Sequence, residues 1–153
     1  MTLSILVEKL ETYVPAYQEK NPAVSSTTVG WQVAHSLQVM HKVIHGLELS
    51  KPEEYRYKFN FIKSVILAIK RIPRGKGRAP KAVAPEATEL TLEILQEQVV
   101  MTKKALVTFS KLPKQAFFIH PVFGALQKKE TEKFLKIHTQ HHLAIIRDML
   151  QKK

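Results

Sequence analysis

Apolar residues recur at three- and four-residue spacing through most of the chain, and that period predicts helices. Leu3, Leu6, Val7, Leu10 and Val14 share one such face, predicting a first helix from Ser4 to about Lys20 that Pro15 either kinks or ends early. Asn21-Pro22 and the run Ser25-Ser26-Thr27-Thr28 then form a polar loop that also supplies N-cap residues. A second helix is expected from Val29 to Leu49. Its main stripe is Val33, Leu37, Met40, Ile44 and Leu47, and Trp31, His35 and Val39 make a second stripe. A helix apolar on more than one side lies deep in a bundle.

Pro52-Glu53-Glu54 reads as a helix start, with proline first and acids at the positive end of the dipole. A third helix is expected from Glu53 to Ile69. Residues 71–85, with three prolines, two glycines and five basic residues, read as a long loop. Helical period returns from Glu86 to about Ser110, with Glu86 or Thr88 at its start. Leu112 to Gly124 is too apolar for a solvated loop and is expected to pack over one end of the bundle. A last helix is expected from Gln127 to Leu150. No alternating strand pattern and no internal repeat is found. The expected fold is a single all-α domain over residues 1–153: a bundle of four main helices, an additional helix and a long basic crossover loop.

Composition narrows the chemistry. The chain has 153 residues and no cysteine, which removes thiolate metal sites, disulfides and a cysteine nucleophile. No signal-like or membrane-spanning run is seen, so the expectation is a cytoplasmic protein without a membrane partner. The formal net charge is +11, which attracts phosphates or nucleic acid. Yet the basic loop has no aromatic residues for stacking bases. Gly75 and Gly77 are not part of a P-loop, because no Gly-Lys-Ser/Thr follows a strand. Nucleic-acid binding is therefore the weakest reading. A better use of the loop is to hold an anionic substrate with Arg74, Lys76 and Arg78.

Seven histidines are present. On the last helix Phe134, Leu135, Ile145, Ile146 and Met149 form the apolar face. At ~100° per residue, His138 and His142 project into its middle, one turn apart. A buried polar group without a partner costs roughly 1–3 kcal/mol. A divalent metal would satisfy both rings, and so would hydrogen bonds within the core; spacing leaves both open. The residues between them, Thr139, Gln140 and His141, lack the glutamate of HExxH, so a zincin protease is excluded. For a third ligand from the second helix, periodicity favours His41 over His35 and His45, although His41 and His45 also read as a solvated edge.

Trp31-Gln-Val-Ala-His35-Ser-Leu in the second helix and His138-Thr-Gln-His-His142-Leu in the last resemble the DinB/YfiT-like metal-binding four-helix bundles. The DUF1569 branch is the nearest match, through the Ile72-Pro-Arg-Gly-Lys76 loop and His120-Pro-Val-Phe-Gly124. The resemblance covers nearly the whole chain. It implies a divalent metal ion, zinc or nickel first, held by His35, His138 and His142, which overrules His41. It also implies a homodimer. His120, Trp31 and His141 are candidates to support the ligands or line the pocket mouth, His120 more readily as a loop histidine bonded to backbone. Relatives include thiol S-transferases and proposed hydrolases. A metal-stabilised binding or stress-related interaction protein is the alternative, and whether the chain is an enzyme stays open.

Overall fold

The computed structural model describes residues 1–74, 85 and 90–151. Helix α1 spans Leu3–Thr12, capped by the Thr2 hydroxyl. Pro15 ends it: a short 3-10 turn, Val14–Ala16, follows in place of further α-helix. Helix α2 spans Val29–Glu48, started by the Thr28 side chain accepting the Trp31 N–H at 3.0 Å. Gly30 lies so close to the Val14–Ala16 turn that its N–H donates to the Tyr17 carbonyl across 2.8 Å. A Cβ at that position would stand 2.8 Å from the same oxygen.

The third helix is shorter than its sequence suggested. A 3-10 turn covers Pro52–Glu54, and α3 is confined to Phe61–Ile69. Tyr55 is already extended (φ −59°, ψ 128°). Asn60 starts the helix instead, its Oδ1 accepting the Lys63 N–H at 2.8 Å while its Nδ2 donates to the Val122 carbonyl at 2.8 Å. Helix α4 spans Leu92–Lys111 and is capped by Thr91. The expected caps Glu86 and Thr88 lie outside the described residues, as do residues 75–84 with Lys76 and Arg78.

The larger departure is a β-hairpin where only an apolar loop was expected. Strand β1, Phe117–His120, pairs antiparallel with β2, Gly124–Gln127, in the register Phe117↔Gln127 to His120↔Gly124. The pairing is too short to show period two in sequence. Gly124 closes its turn at φ 69°. Strand β2 runs into helix α5, Lys128–Leu150, through a capping box between Gln127 and Glu130.

Helix α2 packs on α4 and α5, and α1 packs on α4 and α5 as well. Leu6, Leu10, Leu37, Met40, Ile44, Leu47, Leu95, Leu135 and Ile146 are almost fully buried between them, each contributing about 1.5–3 kcal/mol by leaving water. Helix α3 and the hairpin close onto this core from its edge, through Ile66 and the fully buried Leu126. Lys63 of α3 reaches Glu130 of α5 at 3.0 Å and tethers the two. No helix among the described residues is long and apolar enough to cross a membrane.

Candidate metal centre

The α2–α5 seam holds the cluster. His35, His138 and His142 each offer one ring nitrogen, and the three atoms lie within 4.8 Å of one another. The Nε2 atoms of His35 and His138 are 3.2 Å apart. Nitrogens bound to zinc at about 2.0–2.1 Å in a tetrahedron stand roughly 3.4 Å apart, so little movement separates this geometry from a ligand set. His35 and His142 are buried, and His138 keeps some surface.

Two of the three rings are held from behind. The indole of Trp31 stacks on the His35 ring, centroids 4.9 Å apart and planes 12° from parallel, and its Nε1–H donates to the Pro85 carbonyl at 3.1 Å. His142 Nδ1 donates to Gln32 Oε1 across 2.5 Å. The Gln32 amide nitrogen in turn donates to Thr27 Oγ1 at 2.8 Å and Ser25 Oγ at 3.2 Å. A proton fixed on Nδ1 leaves the Nε2 lone pair of His142 for a ligand, the arrangement by which protein groups orient metal-binding imidazoles. His138 differs: its Nδ1 is buried with no hydrogen-bond partner. The chain alone leaves that nitrogen under-satisfied, at a cost of order 1–3 kcal/mol.

Electrostatics favours the neutral bases a metal needs. Burial pushes His142 far below the usual imidazole range, with His138 and His35 adding to it. Burial likewise holds His138 well down, with His35, His141 and His120 contributing. The ligand nitrogens of His138 and His142 are thus available at neutral pH. The donor set of three imidazoles, with no protein carboxylate or thiolate in the group, fits zinc, nickel or another divalent ion and leaves a coordination position for a small molecule.

The remaining candidates fall around this centre. His141 meets the His142 ring edge-on at 5.2 Å. It is pushed down by burial and by Arg74, partly opposed by the Ile72 backbone. His120 stays out of the cluster. Its Nδ1 accepts the Val122 and Phe123 N–H groups at 3.0 and 3.2 Å, so it caps the hairpin turn. The Phe134 ring touches both His120 and His138, at 4.8 and 5.6 Å between centroids. Burial lowers the His120 pKa to about 4. His41 and His45, the periodicity candidates, are exposed; six positions on from His35, His41 points about 120° away from it around the helix. Arg74 pairs with Asp148 at 2.7 Å beside His141.

Gln32 is the residue the sequence reading passed over. It sits three positions before His35, hence on the same face of α2, and is a buried amide between apolar neighbours. That placement was a readable signal.

No curated protein and no solved structure matches the chain. The family model described as "Protein of unknown function (DUF1569)" matches residues 24–149, which include all three histidines and Gln32. With most of its length matched, the chain belongs to the DUF1569 family.

Proposed function

We propose that the protein is a DinB-like metal-dependent enzyme, a hydrolase or a thiol S-transferase, built on a His35–His138–His142 centre. The observation that carries this reading is the convergence of three imidazole nitrogens within 4.8 Å. The pairing of α1, α2, α4 and α5, with ligands from the second and last of them, supports the DinB-like assignment. A divalent ion held there would supply Lewis acidity that lowers the pKa of a water or thiol in its free position. The protein's own part is to orient His142 through Gln32 and His35 through Trp31, and to keep His138 and His142 deprotonated by burial.

Metal analysis of the purified protein beside a His138→Ala/His142→Ala double variant tests the centre. About one divalent ion per chain is expected in the first and none in the second; equal stoichiometry overturns the site. Turnover of nitrophenyl esters, or conjugation of small thiols to bimane reagents, is expected only with metal present. Loss of neither on EDTA treatment overturns the catalytic role.

The chain also pairs with a second copy in this reading. Tyr57, Phe59, Phe61 and Ile62 stand 54–71% exposed on and just before α3, an apolar face of the kind that two-fold dimers cover. Light scattering is expected to give twice the chain mass, and Phe59→Glu/Phe61→Glu the monomer mass.

A further inference from the structure

Beside the metal centre lies a second feature, a cleft of about 650 Å³ between the segment after α3 and one face of α5. Ile69, Ile72 and Ile137 give it an apolar lining. Its rim carries Lys70, Arg71 and Arg74 against a single carboxylate, Asp148. Asp148 is committed to Arg74 at 2.7 Å, which leaves Lys70 and Arg71 uncompensated; no ion pair holds either among the described residues. Lys70 takes the left-handed backbone, φ 52°, that ends α3, its N–H bonded to the Ile66 carbonyl. The far wall is His141, whose ring abuts His142.

We propose that this cleft binds a small amphiphilic anion, an apolar body of six to ten carbons or similar bulk ending in a carboxylate or comparable acidic group. The isoleucine lining takes the body, and Lys70 and Arg71 take the charge, with Arg74 held in place by Asp148. A volume of this size suits a small organic ligand, and an apolar lining with a few convergent charges is the usual composition of such sites. Arginine suits a planar carboxylate through its paired N–H donors. The cleft stands on its own lining; only the further step, that it positions the anionic end of a substrate whose other end meets the metal, rests on the proposed function.

The probe is octanoate, titrated calorimetrically into the full-length protein, with octanol and octylamine as the neutral and cationic counterparts. Octanoate is expected to bind at least tenfold more tightly than either. Arg71→Ala is expected to weaken octanoate about tenfold and leave zinc uptake unchanged. Lys70→Gly is expected to do the same, and it removes the charge while relieving the left-handed backbone, so a failure to fold does not confuse the result. Equal binding of octanoate and octanol, or unchanged octanoate affinity in both variants, overturns the cleft. Octanoate binding retained in a protein that takes up no zinc supports the cleft and removes the metal reading alone.

Discussion

His142 gives its Nδ1 proton to Gln32 Oε1 across 2.5 Å, linking α5 to α2 at the point where the three imidazoles meet. One amide thereby decides which nitrogen of His142 faces the cluster. The same amide is fixed by Thr27 and Ser25 in the loop before α2, so the ring's orientation depends on a chain of side chains rather than on packing alone.

Replacing Gln32 with leucine keeps the volume and removes the acceptor. Zinc affinity is expected to fall about 10–100-fold, the usual cost of losing a group that orients a ligand. Competition against a chromophoric zinc chelator measures it directly. Gln32→Glu keeps an oxygen acceptor and is expected to retain most of the affinity. Wild-type affinity in the leucine variant would remove Gln32 from the site.

Gly30 is required by close approach. A Cβ there would stand 2.8 Å from the Tyr17 carbonyl oxygen and 2.9 Å from its Cβ, and neither can swing away as a flexible side-chain tip would. Gly30→Ala is expected to destabilise the fold by about 1–3 kcal/mol, the range for overpacking a tight contact. Gly124→Ala, by contrast, meets open space and suffers only from its φ of 69°, at a cost of about 1 kcal/mol. Urea unfolding of the two variants ranks them; a larger loss at Gly124 would contradict the packing argument.

How much of this was legible in the sequence depends on the length of the signal. Helices α2 and α5, each twenty or more residues, carry enough turns for their period to fix both ends within a residue or so, and in α5 the histidine face as well. The hairpin offers four residues per strand, too few for alternation to stand out from an apolar run. The segment before α3 misled because Pro52-Glu53-Glu54 reads as a helix start and Phe59 continues the helical spacing of Ile62 and Ile66 backward by chance. The side chain of Asn60, bonded to both α3 and the hairpin turn, sets the true start. His35 over His41 was likewise beyond periodicity, since α2 is buried on several sides and a count of apolar neighbours cannot say which side faces α5. The resemblance to a family made that choice, and the structure places His35 with the other two.

Lys63 is a buried cation with a defined partner. Its Nζ lies 3.0 Å from Glu130 Oε1 and 3.5 Å from the Ala125 carbonyl, with the Tyr57 ring 5.6 Å away. Lys63→Ala leaves Glu130 without its cation and a gap under α3, and is expected to cost about 2–3 kcal/mol; Glu130 remains part-exposed, which keeps the figure below the range for a fully buried pair. Lys63→Met fills the gap and is expected to cost less than half as much. Equal losses in the two variants, by thermal or chemical unfolding, would show that the charge rather than the packing holds α3 to α5.

The metal-free protein is expected to lose stability in mild acid. Burial lowers the pKa of His138, His142 and His120 from the usual 6.5, that of His120 to about 4. Below 6.5 the unfolded chain takes up protons that the folded chain refuses, so stability rises with pH across that window and levels off above it. For His120 the window runs from 6.5 down to about 4, and for His138 and His142 it extends lower. Each fully buried histidine contributes a slope of at most about 1.4 kcal/mol per pH unit, and His120, which water still reaches, contributes less. Bound metal adds to the effect, because protons compete for the same lone pairs. Urea midpoints of the EDTA-treated protein at about pH 7.5 and about pH 5.5 measure the slope; a midpoint that does not move between them would show that the histidines are solvated and that the cluster is not a buried site.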